Sequence, residues 1–116
     1  MADSPTSYPD RIRRVNSNLG KLRKDVPEVM KGFADLHTAS TKEATLDRKT
    51  KELIALGISI TSLCDDCIAF HTQGALKAGA SREEITEAIG VAVFMGGGPG
   101  AMYATHALEA LEEFQD

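Results

Sequence analysis

Cys64 and Cys67 are the only cysteines of the chain, and they form a C-x-x-C pair. His71 follows Cys67 by four residues, and Glu52 precedes Cys64 by twelve. On a helix, positions i, i+3 and i+4 share a face, so Cys64, Cys67 and His71 would form one stripe of two thiols and an imidazole. The thiolate is the reactive form of cysteine, and a nearby histidine is a common means of generating it. The combination reads as a redox site. A c-type haem attachment is excluded because Ile68, not histidine, follows Cys67.

At i, i+3 on the first turn of a helix, the two cysteine Cα atoms stand roughly 5–6 Å apart, which suits a disulfide. The helix N-terminus lowers a thiol pKa through its partial positive charge and free N–H groups. Asp65 and Asp66 act the other way, so the sign of the net shift stays open. On one continuous helix Glu52 would lie ~18 Å from Cys64. If the chain turns near Leu63 and runs back antiparallel, Glu52 comes level with about residue 74, within a turn of His71. A relay is then possible in which Glu52 orients His71 and His71 takes the proton of Cys67. Two alternatives remain beside the redox reading. The cysteines could be free core residues. They could also join His71 and a fourth ligand on zinc, although no glycine-containing knuckle or clear fourth ligand is evident. His37 and His106 are lone histidines and read as structural.

The elements that must position these groups read as helices. Residues 1–9 are expected to be a disordered lead, with Asp10 capping a first helix that carries Ile12, Val15 and Leu19. Arg11, Arg13, Arg14, Lys21, Arg23 and Lys24 make that helix basic, most simply a solvated face. The acidic C-terminus (Glu109, Glu112, Glu113, Asp116) could meet it. Pro27 fits the first turn of a second helix with Val29, Met30, Phe33, Leu36 and His37 on its apolar side. Thr38 to Lys42 reads as a loop or frayed end. A third helix begins near Leu46 or Asp47 and carries Leu53, Ile54, Gly57, Ile60 and Thr61. Ile58 to Thr61 is β-branched enough to suit a strand, but the helical spacing is preferred. A fourth helix runs from near Cys64 to Gly79, a left-handed C-terminal glycine. Ser81 and Glu84 form a capping box for a fifth, which carries Ile85, Ala88, Ile89, Ala92 and Val93. Gly96 to Gly100 breaks it, and a sixth runs from about Ala101 to Phe114. With no strand before the glycine-rich stretch and no Lys-Ser/Thr after it, this is not a phosphate loop.

The expected architecture is all-α: one domain over residues 1–116, with about six helices and a central antiparallel helix pair. Aromatic residues make up 5% of the chain against 42% apolar overall, so the core must be aliphatic and alanine-rich. The missing βαβ pattern disfavours a thioredoxin-like fold. A formal charge of −4 argues against nucleic acid as the main partner. The first ten residues hold no apolar run, and no apolar stretch approaches the ~18 residues needed to cross a bilayer, so a cytoplasmic protein without membrane contact is expected. In that compartment a lone C-x-x-C pair is catalytic or metal-binding more often than a staple. The Ala- and Gly-rich stretch from Ile85 to Ala110 has few polar positions to face water, which points to neighbouring copies covering part of it.

From about Asp47 to Glu112 the chain resembles the carboxymuconolactone decarboxylase family, specifically its alkylhydroperoxidase D-like branch. Glu52, Cys64, Cys67 and His71 match the pattern E-x11-C-x-x-C-x-x-x-H, and the MGGGPGAMYA segment from Met95 to Ala104 is similar to small members. The resemblance implies an all-helical fold, obligate homo-oligomers (trimers or hexamers) and a cysteine pair cycling between dithiol and disulfide. The decarboxylases proper lack the pair, so lactone decarboxylation is not expected. One departure is that the peroxidase prototype has histidine between the cysteines where this chain has Asp66, which removes one relay candidate.

The first functional expectation is therefore a thiol peroxidase with Cys67, Cys64, His71 and Glu52 as its catalytic residues. No haem, flavin, metal or other cofactor is required. Its partners would be a peroxide substrate and an external dithiol, either a lipoyl protein or a thioredoxin-like one. A disulfide reductase or electron adaptor serving a peroxiredoxin is the second reading. The third is a non-enzymatic redox-sensing subunit.

Overall fold

In a computed structural model, residues 7–115 are described, and they form five α-helices: α1 (Tyr8–Asp25), α2 (Pro27–Thr41), α3 (Arg48–Thr61), α4 (Asp65–Lys77) and α5 (Arg82–Gln115). The described residues hold no strand. The Ile58–Thr61 stretch is helical, as its spacing indicated.

Local chemistry sets most of the boundaries. Asp47 caps α3 by accepting the Thr50 N–H at 2.8 Å. Ser81 and Glu84 form the expected reciprocal box: the Glu84 N–H donates to the Ser81 hydroxyl at 3.0 Å, and the Ser81 N–H donates to the Glu84 carboxylate at 2.9 Å. Pro27 opens α2. Both α3 and α4 end in the same double turn. Leu63 N–H donates to Ile60 and Cys64 N–H to Ser59; Gly79 N–H donates to Leu76 and Ala80 N–H to Ala75. The left-handed residue is Gly79 (φ 94°) in one turn but Leu63 (φ 58°) in the other. A side chain in that region is strained.

Three expectations are corrected. Ser7, not Asp10, caps α1 by accepting the Asp10 N–H at 3.1 Å, so Tyr8 and Pro9 are helical rather than part of a lead; residues 1–6 lie outside the described residues. The segment Thr38–Thr41 continues α2 instead of forming a loop, with Ser40 and Thr41 hydroxyls donating back to carbonyls of the preceding turn. The interruption expected in the glycine-rich stretch falls at Gly97, which leaves helical geometry (φ 64°, ψ −150°), so α5 consists of two helical segments joined at a kink. Pro99 two residues later supplies the cause, since it lacks an N–H and crowds the preceding turn, and only glycine adopts the compensating angles readily. Finally, α5 is long and apolar enough to cross a bilayer by length and composition, contrary to the count of apolar runs. Only 22% of its most apolar window is buried within the chain.

The core lies between the antiparallel α3–α4 pair and α5. Leu56, Ile60, Ile68, Ile85 and Leu111 are fully buried, with Ala69, Ala75, Ala107 and Ala110 filling the narrow gaps between helices. Each large side chain contributes about 1.5–3 kcal/mol on burial. The N-terminal helix adds Tyr8 and Ile12 to this core, whereas α2 buries none of its residues.

Candidate redox site

Leu63 turns the chain so that α4 starts at the far end of α3. Cys64 is the N-cap of α4 rather than its first helical residue, and its Sγ accepts the Cys67 N–H at 3.2 Å. The two sulfurs form a disulfide with Cα atoms 5.3 Å apart, within the range that the spacing implied. Cys67 is exposed and Cys64 half-buried. A sulfur in the N-cap position meets a free helical N–H and the positive end of the helix dipole, both of which favour a thiolate there.

One turn further along, His71 Nδ1 lies 2.8 Å from Glu52 Oε1 on α3. Glu52 is 4% exposed, a rare environment for a carboxylate. Its second oxygen faces the Arg48 Nε at 3.9 Å, so a cation stands on one side of the buried carboxylate and the imidazole on the other. The antiparallel register is the one anticipated from the turn at Leu63: an added Cβ on Gly74 would sit 2.7 Å from the Glu52 carboxyl carbon. Gly74 is therefore the gap through which Glu52 reaches His71. A carboxylate on Nδ1 keeps the ring proton there and leaves Nε2 as the acceptor.

The aspartates between the cysteines are not free charges. Asp66 accepts from Arg11 at 3.1 Å and faces Arg14 at 3.8 Å, so the basic helix α1 offsets that charge at the thiol pair. The solvated face expected for α1 is thus partly a docked one. Arg11 also lies over the Tyr8 ring, 5.3 Å from its centroid. Asp65 accepts the Tyr8 hydroxyl at 3.0 Å and the His106 Nδ1 at 2.7 Å. Burial, then the hydrogen bond to Asp65, pushes the Tyr8 phenol well above its ordinary pKa. Among the described residues of the acidic C-terminus, Glu113 meets α1 by accepting the Tyr8 backbone N–H at 2.6 Å.

Of the four residues singled out in the sequence, Glu52 and His71 meet across α3 and α4, Cys64 caps α4, and Cys67 lies exposed in its first turn. His106, Tyr8 and the arginines of α1 were not among them. No periodic signal links Asp65 to His106 across 41 positions, and the charges of α1 resemble any solvated face.

A five-helix fold carrying a C-x-x-C pair at a helix N-terminus, backed by a carboxylate-held histidine, defines an all-α protein with a dithiol site. Residues 27–110 match the model of the carboxymuconolactone decarboxylase family, and the chain belongs to that family. It is similar to a carboxymuconolactone decarboxylase family protein from Legionella pneumophila, solved in the apo form: 48% identical, TM-score 0.91, covering 94% of this chain and 97% of that one. A second structure is 34% identical with TM-score 0.71, covering 84% of this chain and 90% of that one. It is a family protein from Thermotoga maritima considered for involvement in an antioxidative response. An uncharacterized protein of Cupriavidus necator is 40% identical over 103 residues, 89% of this chain and 91% of its own length.

Proposed function

We propose that this protein is a thiol-dependent peroxidase in which Cys67 and Cys64 cycle between dithiol and disulfide. The observation that carries the reading is the buried Glu52 holding His71 Nδ1 at 2.8 Å, one helical turn from Cys67 on the same helix. His71 takes the Cys67 proton, and the thiolate attacks a peroxide oxygen. The O–O bond breaks, sulfur gains OH, and the departing alkoxide or hydroxide takes the proton from His71. Cys64 then displaces water from the sulfenic acid to form the Cys64–Cys67 disulfide, which an external dithiol reduces by exchange. The antioxidative role considered for the Thermotoga relative agrees with this chemistry.

The test is peroxide consumption with dihydrolipoamide or thioredoxin as donor. Cys64→Ser and Cys67→Ser should each abolish turnover, and Cys64→Ser should accumulate a trappable sulfenic acid at Cys67. Glu52→Gln and His71→Ala should each slow the reaction about 10²-fold or more, and the double variant should be little worse than the poorer single one. Absence of peroxide consumption with either donor, in protein whose disulfide still exchanges, would favour the electron-adaptor reading; exposed Cys67 is accessible to a partner disulfide.

The same proposal includes self-association as a trimer or hexamer. A groove of about 500 Å³ between α3 and α5 is lined by Leu53, Ile54, Ile58, Val91 and Met95. Phe94 beside it is 81% exposed. A second copy of the chain is the occupant consistent with so much uncovered apolar surface.

A further inference from the structure

A second carboxylate–imidazole pair stands at the same end of α4. Asp65, the residue after Cys64, accepts the His106 Nδ1 at 2.7 Å and the Tyr8 hydroxyl at 3.0 Å on one oxygen, Oδ1. His106 comes from α5 and keeps 36% of its side chain exposed. Tyr103, one turn earlier on α5, braces the ring with centroids 4.6 Å apart. The carboxylate keeps the imidazole proton on Nδ1, which leaves Nε2 as the acceptor. This repeats the Glu52–His71 arrangement with different helices: α4 and α5 in place of α3 and α4. The other charged groups of the turn are engaged elsewhere: Arg11 and Arg14 from α1 by Asp66, Glu52 from α3 by His71, and Glu113 from α5 by the Tyr8 N–H.

The two cysteines have different proton requirements, and His71 is placed for one of them. It stands one turn from Cys67 but two turns from Cys64, roughly 10 Å along the axis. The anchor of His106 is the residue bonded to Cys64, with adjacent Cα atoms about 3.8 Å apart. We propose that His106, positioned by Asp65, exchanges protons with Cys64, as His71 does with Cys67. This rests on the redox reading of the cysteine pair.

During reduction, a thiol of the external dithiol attacks the exposed Cys67 sulfur. A donor–Cys67 disulfide forms, and the Cys64–Cys67 bond breaks with its electron pair passing to Cys64. The N-cap position of Cys64, with the Cys67 N–H on its sulfur, suits it to be the leaving group. His106 accepts the proton of the attacking thiol and delivers it to Cys64. The donor's second thiol then displaces Cys67, which takes that thiol's proton, and the donor departs as its own disulfide. In the oxidising direction, His106 takes the Cys64 proton as Cys64 attacks the Cys67 sulfenic acid. It returns the proton to the hydroxide that leaves, which departs as water.

The test uses reduced full-length Cys67→Ser protein, so that Cys64 is the only thiol, and follows its alkylation by iodoacetamide as a function of pH. His106→Asn and Asp65→Asn should each slow alkylation near neutral pH by about tenfold and move the inflection towards that of an ordinary thiol, whereas His71→Asn should change the rate less than about twofold. Combining the two slow variants should add little, because the pair acts as a unit. An unchanged rate in His106→Asn, or a larger effect of His71→Asn, overturns the proposal. So does a faster rate in Asp65→Asn, which would show that the carboxylate acts only as a negative charge beside the thiol. Asp65→Asn preserves side-chain shape and decides the matter if His106→Asn fails to melt cooperatively. No peroxide enters the experiment. A His106-dependent Cys64 in a protein that consumes no peroxide would sink only the peroxidase reading, and a working peroxidase whose Cys64 ignores His106 would sink only this inference.

Discussion

The N-terminal turn of α4 and the α3–α5 groove belong to the same small chain, yet one is complete and the other is not. Around Cys64–His71, the charged side chains are matched from three other helices: Glu52 from α3, Arg11 and Arg14 from α1, and His106 from α5. At the groove, Ile54, Ile58, Val91 and Met95 stay exposed, and α2 turns Val29, Phe33 and Leu36 to solvent. The polar site is assembled by contacts within one chain. Among the described residues, nothing covers the apolar face. Chemistry at the thiols and assembly through the groove should therefore respond to different substitutions.

The largest separation is expected from two glycines. Alanine normally stabilises a helix relative to glycine by up to about 1 kcal/mol. At Gly74 the new methyl would lie 2.7–2.8 Å from three atoms of the Glu52 carboxyl group, which is buried and held by His71. Gly74→Ala should lower turnover about 10²-fold, as loss of the relay would, and should lower stability instead of raising it. At Gly57, in the groove, the added methyl meets nothing within 4 Å. Gly57→Ala should leave turnover intact and the fold of the single chain undisturbed, and any effect should fall on association through the groove. Equal turnover in the two variants would remove Gly74 as the gap that seats Glu52.

The next effect belongs to the groove. Phe94→Glu places a charge on the most exposed aromatic side chain of the chain's apolar face. Within an interface this would leave a charge buried and unpaired, at a cost of several kcal/mol. Sedimentation at micromolar concentration should show an assembly for the parent and a smaller species for the variant, with Cys64 and Cys67 still forming a disulfide. A parent that sediments as a folded monomer under reducing conditions would break the comparison, because the groove would then need no second copy.

A smaller effect tests the turn that joins the two regions. Leu63 occupies the left-handed position that Gly79 fills in the equivalent turn of α4. Leu63→Gly removes a Cβ penalty of about 1–2 kcal/mol, offset in part by the added freedom of glycine in the unfolded chain. A net gain of up to about 1 kcal/mol is expected from urea unfolding, and no gain would mean that the leucine side chain returns its strain through packing.

These features were legible to different degrees, and the reason is the range of the interaction. The capping box at Ser81–Glu84, the helix start near Asp47, the glycine at position 79 and the Pro27 start depend on neighbours in sequence, and each was readable. The Glu52–His71 pairing spans 19 positions, but one turn and one helical rise suffice to derive it. The kink at Gly97 was readable as well, because the glycines and Pro99 act on their own neighbours. Ser7 was passed over for Asp10 because both are good caps, and Tyr8 decides between them by burying its ring. His106 was missed because its partner comes from another helix, with no periodicity to announce it. The same holds for Arg11 and Arg14.

Tyr8 offers the smallest test, and it bears on how tightly α1 closes the site. Its phenol is buried and donates to Asp65, and both effects raise its pKa above the ordinary value of about 10. A raised folded-state pKa means that the neutral form is the one the fold stabilises. That contribution is fully present below about pH 10 and is lost as pH climbs from there towards the folded-state value, because the unfolded tyrosine releases a proton that the folded one retains. Stability should then fall by at most about 1.4 kcal/mol per pH unit for this one group. Tyr8→Phe cannot ionise at this position. It should be less stable than the parent at neutral pH by about 0.5–1.5 kcal/mol for the lost hydrogen bond, and the gap should narrow above about pH 10. Tyr103 is present in both proteins and cancels. Urea midpoints measured at neutral and alkaline pH decide the matter: parallel loss of stability in parent and variant would show that the Tyr8 hydroxyl is not what anchors α1 to the first turn of α4.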